Sequence, residues 1–516
     1  MAVREFHSKR LASRVVFAAL TALITSIYLW CFYRSVSLNN QLIYVILDKQ
    51  TLTAQKSLEI DSLLIGNQIR CDKENLSLSS LCEGYWGWSL FEKWLKNQQP
   101  VILGGSSVNC AVDERTYSFC KFSNLTIDFS RVQGIGETRQ FEDGFFSTYG
   151  ENLNEGFDFD IPGREHVLQL RGIVDEIVED YDILELRPTF IISNDDIFNL
   201  GHYMNDVMNV WHMSLMAGKN LKSSLLINID GFRAQGPAGG YRHRLMIPAD
   251  PDNYGPFIGY YNSWFSEIKK AADYKKNRVK YAELYVPSNP YFPWFWNDWW
   301  SANQCAQDSS SPLYQSFNLF LRKRWIEKYG NNSLPMPDTD KVHVVIELRP
   351  IDFKKKNENS RARHISNIPQ LVESMKLISN IRVTAMDFTT LSFEEQVALS
   401  HSAGVFVSMH GAGTTHIFHS ALGAPNCCAL LELQPERKLG FHHAYGYANL
   451  ARMHGLHYYR YIAEDGRTLE NGTALNVSLF VSLLSEAAEA VRVRPTCLGD
   501  VRDTRNPAIL GFQPLQ

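Results

Sequence analysis

Hydrophobic positions follow two patterns along this chain. Residues 15–33 form one uncharged run, VVFAALTALITSIYLWCFY, whereas beyond about residue 185 short apolar runs of strand length alternate with helical stretches. At about 1.5 Å per residue, the first run reaches roughly across a bilayer core of about 30 Å. Arg4, Lys9, Arg10 and Arg14 precede it, and only Arg34 follows closely. The positive-inside rule then predicts a cytosolic tail over 1–14, a signal anchor over 15–33 and a lumenal remainder. A cleaved signal peptide fits less well, because the run exceeds a usual h-region and no A-x-A-like site follows. A buried core helix would leave the lopsided basic flank unexplained. Over 34–75, Leu38, Leu42, Val45, Leu52, Leu58, Leu63 and Ile69 are spread among polar residues without a sustained heptad. This predicts a stem, either a spacer packed on the body or a helix pairing with a second copy as a homodimer.

The body divides at a polar break, NNSLPMPDTD, over 331–340. Before it, TFIIS (189–193) reads as a buried strand ending in the turn signal Asn194-Asp195-Asp196. A helical stretch over 200–216 and a second strand over 224–229 complete a strand–helix–strand unit. Residues 236–262 read as Gly-, Pro- and Tyr-rich loops, and YFPWFWNDWW (291–300) is a dense aromatic patch. After the break the alternation is regular, with strands at 342–348, 381–386, 404–409 and 427–433 and a helix over 368–378. Ser392 and Glu395 form an S-x-x-E capping box at the head of another helix. Such spacing predicts a parallel, doubly wound sheet whose ligands sit at the carboxyl ends of its strands. The predicted domains are an N-terminal lobe over 76–335, a C-terminal lobe over 336–500 and a tail over 501–516.

Composition narrows the class. The 516 residues are 45% hydrophobic and 21% charged, ordinary globular material, and a net charge of −4 argues against a nucleic-acid partner. Of nine cysteines, only Cys31 lies in the membrane run, which leaves an even number for an oxidising lumen. Cys110 and Cys120 would close a short disulfide loop. Cys427 and Cys428, placed in a strand, should point to opposite faces as small buried hydrophobes. Sequons at Asn75, Asn124, Asn331, Asn471 and Asn476 agree with a glycoprotein.

The chemistry concentrates in His410-Gly411-Ala412-Gly413-Thr414-Thr415-His416, between a buried strand and a helix. Glycines let a ligand approach the backbone, and free N–H groups at a helix start favour a pyrophosphate. The competing reading is a tight turn with no ligand. Arg349 at the end of one strand and Arg363 beyond the Lys354–Lys356 loop would clamp phosphate, with a solvated loop as the competing reading for Arg363 and the better one for the lysines; Glu432 near the end of another strand would accept from ribose hydroxyls. In the first lobe, His202 and Asp206 share a helix face with Asn209 nearby. They read either as a base for an acceptor hydroxyl or as a helix-surface hydrogen bond. Eight of the fifteen histidines fall over 401–457. With no H-E-x-x-H or C-x-x-C, hydrogen-bonding histidines are the better reading than a metal site. The D-x-D triplets at Asp158, Asp250 and Asp338 carry little weight, and Trp294, Trp296, Trp299 and Trp300 read as packing material more than a sugar platform.

In this order, the motifs resemble glycosyltransferase family 61. The matching stretches are NLGHYMNDVMNVW behind Ser193-Asn194-Asp195-Asp196, the 349–367 segment ending RARHISN, and SMHGAGTTHIFHSALG followed by LLEL. Within the family, CEGYWGW, INIDGFRAQGPAGG and FIGYYNSWFSEIKKAADY look most like plant-type N-glycan core β-1,2-xylosyltransferases. The resemblance implies an α/β, GT-B-like, inverting enzyme of two Rossmann-like lobes with a cleft between them. It implies a UDP-sugar donor, UDP-xylose, an N-glycan or glycoprotein acceptor, no metal requirement and residence in the Golgi membrane. Donor binding would fall on Arg349, Arg363, His410, Gly411, Ala412, Gly413, Thr414 and Glu432, with His202 and Asp206 on the acceptor side. Family members often carry Leu or Met and then Thr-Asn after G-A-G, where Thr414, Thr415 and His416 stand here. The rival functions are transfer of GlcNAc to protein O-glycans, silent glycan binding and metal-dependent hydrolysis.

Overall fold

The computed structural model describes residues 99–103, 106–112, 118–133, 181–192, 199–228, 256–286, 311–350, 362–435, 445–463, 472–493 and 501–503, apart from a few single positions, with four two-residue strands besides. The anchor, the stem, Asn194–Asp196, the tryptophan patch, Lys354–Lys356, the D-x-D triplets at Asp158 and Asp250 and the sequons at Asn75 and Asn471 lie outside the described residues. Among the described residues, no helix is long and apolar enough to cross a membrane.

The N-terminal lobe is built on one mixed sheet. Strands β1 (Gln99–Leu103), β2 (Ser106–Val112) and β3 (Ser118–Asp128) form an antiparallel meander. Beyond it lie β4 (Thr189–Ile192), β5 (Leu225–Asn228), β6 (Glu267–Lys270) and β7 (Arg278–Val286). The order is β1-β2-β3-β7-β4-β5-β6: β7 pairs antiparallel with β3, and β7, β4, β5 and β6 pair parallel. The predicted strand–helix–strand unit is β4, α1 (Leu200–Ala217) and β5. The antiparallel half makes this lobe a mixed variant of the expected Rossmann-like one.

The C-terminal lobe has a six-stranded, fully parallel sheet of β8 (Val342–Leu348), β9 (Ile381–Asp387), β10 (Val405–Met409), β11 (Ala429–Gln434), β12 (His457–Ile462) and β13 (Val501–Asp503). Its order is β9-β8-β10-β11-β12-β13. The strands read as continuous apolar runs because both faces are covered. Val344, Ile346, Val405, Val407, Leu431, Leu433 and Tyr459 pack against α3 (Ile368–Met375) and α6 (Val477–Val493) through Leu371, Met375, Phe480 and Leu484. The alternate positions Val345, Phe406, Leu430 and Tyr458 turn to the other face and join one core with Phe190, Tyr203, Val207 and Trp211 of the first lobe.

Several helix boundaries follow local chemistry. Pro312 opens α2 (Pro312–Tyr329) behind the Ser311 cap, and Gly330 ends it. In α4 (Phe393–His401) the capping box forms: the Glu395 N–H donates to Ser392 Oγ at 3.2 Å, and the Ser392 N–H to Glu395 Oε2 at 2.8 Å. α5 (Gly446–Met453) returns the chain to β12. Although α2 precedes the polar break, Asn318 of α2 donates to the carbonyls of Phe418 (2.6 Å) and Ser420 (3.1 Å) in the other lobe. The strand predicted over 427–433 starts only at Ala429. Strand alternation therefore does not govern Cys427 and Cys428, and both are buried, as small hydrophobes are expected to be. Cys110 and Cys120 stand opposite one another in the β2–β3 register.

Candidate functional site

Sheet order locates the site. The strand sequence reverses between β8 and β10, the switch point where an open parallel sheet leaves a crevice at its carboxyl edge. Arg349 follows β8 and His410-Gly411-Ala412-Gly413 follows β10, so both lie at that edge. The helix expected after β10 is a 3-10 helix, Ala412–His419. Its tighter winding is suited to a short connection packed at both ends.

Gly411 is the sharpest point of the turn. Its φ of +145° strains any other residue, and a Cβ there would lie 2.9 Å from Arg349 Nη1, 2.9 Å from Arg363 Nη1 and 3.1 Å from Arg349 Nη2. Two guanidinium groups thus converge on one backbone position. The turn residues 411–413 are half-exposed, while 414–422 are buried. Arg349 and Arg363 keep partial exposure as well. This arrangement suits an anion with several oxygens, since guanidinium forks and backbone N–H groups address it together.

Arg363 is delivered by partners distant in sequence. Thr473 Oγ1 donates to the Ala362 carbonyl at 2.6 Å, and the Thr473 N–H to the His364 carbonyl at 2.7 Å. Asn367 clamps residue 475 from both sides: its Nδ2 donates to the Leu475 carbonyl at 2.8 Å, and its Oδ1 accepts from the Leu475 N–H at 3.0 Å. The His364 Nδ1–H donates to the Arg349 carbonyl at 2.7 Å, which ties the two arginine segments together.

Below the turn runs a buried polar row. The parallel register places Glu347, Ser408, Glu432 and Arg460 side by side on β8, β10, β11 and β12. All four are buried, on the face that two residues earlier in each strand (Val345, Phe406, Leu430, Tyr458) holds core side chains. Glu347 accepts from Arg349 Nε at 3.2 Å and from Ser408 Oγ, which also meets Thr414 Oγ1 at 3.0 Å. Glu432 meets His410 Nδ1 at 2.5 Å and accepts from Tyr458 Oη, which in turn accepts from Arg460 Nε at 2.7 Å. Burial pushes the Glu432 carboxyl up, but His410, Arg460 and Tyr458 overcome this and hold it below the usual carboxylate range. Glu432 therefore lies in the floor, two residues short of the carboxyl end of β11, wholly buried and in contact with His410.

Helix α1 closes the edge from the first lobe. Gly201 is a close-approach glycine: its Cβ would lie 3.3 Å from Thr415 Oγ1 and 3.8 Å from Tyr447 Oη. Tyr447 donates to the Gly411 carbonyl at 2.6 Å, and burial raises its phenol pKa. His202 thus sits one residue from the contact with the Gly-rich turn. His202, Asn205, Asp206 and Asn209 fall on one helix face at i, i+3, i+4 and i+7, and all four are buried. His202 and Asp206 are both buried, so a hydrogen bond between them would lie inside the fold and not on a helix surface. Asn205, which the sequence did not single out, has no partner for either amide atom.

Among the described residues of the histidine cluster, His410 is the one that joins the turn. His416 and His419 meet at 3.1 Å, His416 reaches Gln396 Oε1 at 3.1 Å, and His419 pairs with Tyr260 of the first lobe. Burial pulls His416 down to about 3 and His401 to about 4, so both are neutral core groups, as a hydrogen-bonding role requires. No group of three His, Cys, Asp or Glu among the described residues could hold a metal ion. The three described sequon asparagines, Asn124, Asn331 and Asn476, are exposed.

Comparison with known proteins agrees with this geometry. Residues 200–430, from α1 to β11, match the family model described as Glycosyltransferase 61. The EGF domain-specific O-linked N-acetylglucosamine transferase of Mus musculus is 32% identical over 384 residues, covering 70% of this chain and 63% of that protein. The protein of the same name from Gallus gallus is 23% identical over 70% of this chain and 62% of its own length. That of Drosophila melanogaster is 22% identical over 76% of this chain and 73% of its own. The chain thus spans less than two thirds of the vertebrate relatives' length.

Proposed function

We propose that this chain, with its glycosyltransferase-61 region over 200–430, transfers a sugar from a UDP-sugar to a glycoprotein with inversion at the anomeric carbon. One observation carries the reading. The terminal nitrogens of Arg349 and Arg363 meet within about 3 Å of the space left by the absent side chain of Gly411, at the switch point of a parallel sheet. A nucleotide diphosphate seated there gains two charge-assisted contacts and the turn's N–H groups.

In this reading the acceptor hydroxyl loses its proton to Asp206, or to His202 supported by it. Its oxygen forms a bond to the anomeric carbon from the face opposite the diphosphate. The carbon–oxygen bond to the diphosphate breaks, and UDP leaves with that electron pair. Arg349, Arg363 and the turn stabilise the charge that develops on the leaving group. The phosphate charge is met by the chain's own cations, so the proposal requires no metal ion.

Two donor–acceptor pairs are in play. The names of the relatives support N-acetylglucosamine transfer to an O-linked site on an EGF domain. The segments CEGYWGW, INIDGFRAQGPAGG and FIGYYNSWFSEIKKAADY support xylose transfer from UDP-xylose to an N-glycan core. The same proposal places the body in the Golgi lumen behind the 15–33 anchor. The test is a donor screen with the purified full-length chain, UDP-GlcNAc against UDP-xylose, each with an EGF-domain and an N-glycan acceptor and products weighed by mass. Asp206→Asn should bind UDP normally yet turn over at least about a hundredfold more slowly. Near-full turnover with normal folding would remove Asp206 from the role of base. UDP binding without product on any acceptor would favour a silent glycan-binding protein.

A further inference from the structure

We propose that Glu347 is the positioning residue that aims Arg349 at the donor diphosphate and seats the Gly-rich turn above it; this rests on the diphosphate reading given above. The carboxylate is 5% exposed and lies in the middle of the edge, with partners on three sides. On one side it accepts from Arg349 Nε at 3.2 Å. That contact uses the side of the guanidinium nearest the chain and leaves Nη1 and Nη2, the atoms facing Gly411, for a ligand. On the second side it holds Ser408 Oγ, which meets Thr414 of the 3-10 helix. On the third it underlies Gly413: a Cβ there would overlap Oε1, Cδ and Oε2 of Glu347, all closer than the 3.0 Å that real Cβ contacts respect.

The electrostatics argue the same way. A carboxylate taken into a sheet edge loses its hydration, and it is retained only where a cation and hydrogen bonds replace the water. Two guanidinium groups that approach one point repel each other, and Glu347 is the anion that touches one of them. Its place in the row Glu347–Ser408–Glu432–Arg460 makes it part of the sheet, so the contact that aims Arg349 comes from β8 itself. A pre-aimed fork loses less freedom on binding.

The test measures UDP binding to the full-length chain by calorimetry, with donor KM and kcat followed in parallel. Glu347→Gln keeps the shape and removes the charge. It should weaken UDP binding about tenfold and raise donor KM with little change in kcat. Because Glu347 acts through Arg349, the double variant Glu347→Gln/Arg349→Lys should bind UDP about as weakly as Arg349→Lys alone. A merely structural ion pair would lower the melting temperature and leave UDP affinity unmoved, or would add its loss to that of Arg349→Lys; either result overturns the positioning role. If Glu347→Gln does not fold, Ser408→Ala frees the same carboxylate from its other anchor and should weaken UDP binding about threefold; unchanged affinity overturns the proposal. If the unaltered chain binds no UDP, the donor reading itself falls and the positioning role falls with it. Wild-type binding combined with an inert Glu347→Gln removes the positioning role alone.

Discussion

Gly413→Ala isolates the turn's tight seat with a single methyl group. The added carbon would occupy the Glu347 carboxylate, overlapping Oε1, Cδ and Oε2 at once. Either the 3-10 helix lifts or Glu347 is displaced from Arg349, and both outcomes disturb the anion cradle. Overpacking of this kind costs about 1–3 kcal/mol. For a domain of this size that lowers Tm by roughly 2–4 °C per kcal/mol. The functional loss should exceed what the stability loss explains, because the arginine fork loses its aim, with donor KM rising at least about tenfold. Gly330→Ala is the matched control. Gly330, at the end of α2, has φ +89° and ψ 165° and nothing within 4 Å of its absent Cβ, so alanine there carries only backbone strain, about 1–3 kcal/mol. It should lower Tm and leave donor KM unchanged. Steady-state kinetics and thermal melts on the two variants decide the matter. A Gly413→Ala enzyme with wild-type donor KM would refute the reasoning that the turn and Glu347 together shape the donor site.

Other consequences are simpler to state. Arg363→Ala removes one arm of the cradle and should weaken UDP binding by about 10–100-fold with little change in Tm, measured by calorimetry. Acid should destabilise the fold through its buried histidines: His416 is held down to about 3 by burial, below an unfolded value of about 6.5, so the unfolded chain binds the extra proton. Stability is then complete above about pH 6.5 and falls as pH drops toward 3, by up to about 1.4 kcal/mol per pH unit for that histidine; His416→Gln should flatten the slope in urea titrations across that window. Asn205→Leu replaces a buried amide with no partner and should leave stability unchanged or raise it by about 1–2 kcal/mol in denaturant melts; a loss of several kcal/mol would mean the amide is paired.

Much of this was legible in residue order, for identifiable reasons. The C-terminal strands announce themselves as apolar runs because both sheet faces are covered, and the Ser392–Glu395 box marked a helix start by local chemistry alone. Gly411 and Arg349 could be paired because any parallel sheet brings its strand ends to one edge. Glu347 was missed because it sits inside VHVVIEL, where a single carboxylate looks like the tail of a hydrophobic strand. Only the register with Ser408 and Glu432 reveals a row. Glu432 was read as a ribose contact from its nearness to a strand end, yet His410 and Tyr458 occupy its carboxylate. The placement of Arg363 depends on Thr473, 111 residues from Ala362, which no local pattern signals. Helix α1 carried its polar stripe openly in the sequence. Its burial came from two lobes closing on it, a tertiary outcome that propensity does not encode.

The central claim is that the cradle at Gly411 holds the diphosphate of a UDP-sugar that the chain then transfers. Its most direct measurement is product formation by the full-length chain with UDP-GlcNAc and UDP-xylose, read as the acceptor's mass gain, beside the same assay with Arg349→Ala. The account predicts a mass gain of one sugar residue with one of the donors, UDP released in equal amount, and at least about a hundredfold loss in the variant. Undiminished transfer by Arg349→Ala, or no UDP binding by the unaltered chain, would contradict it.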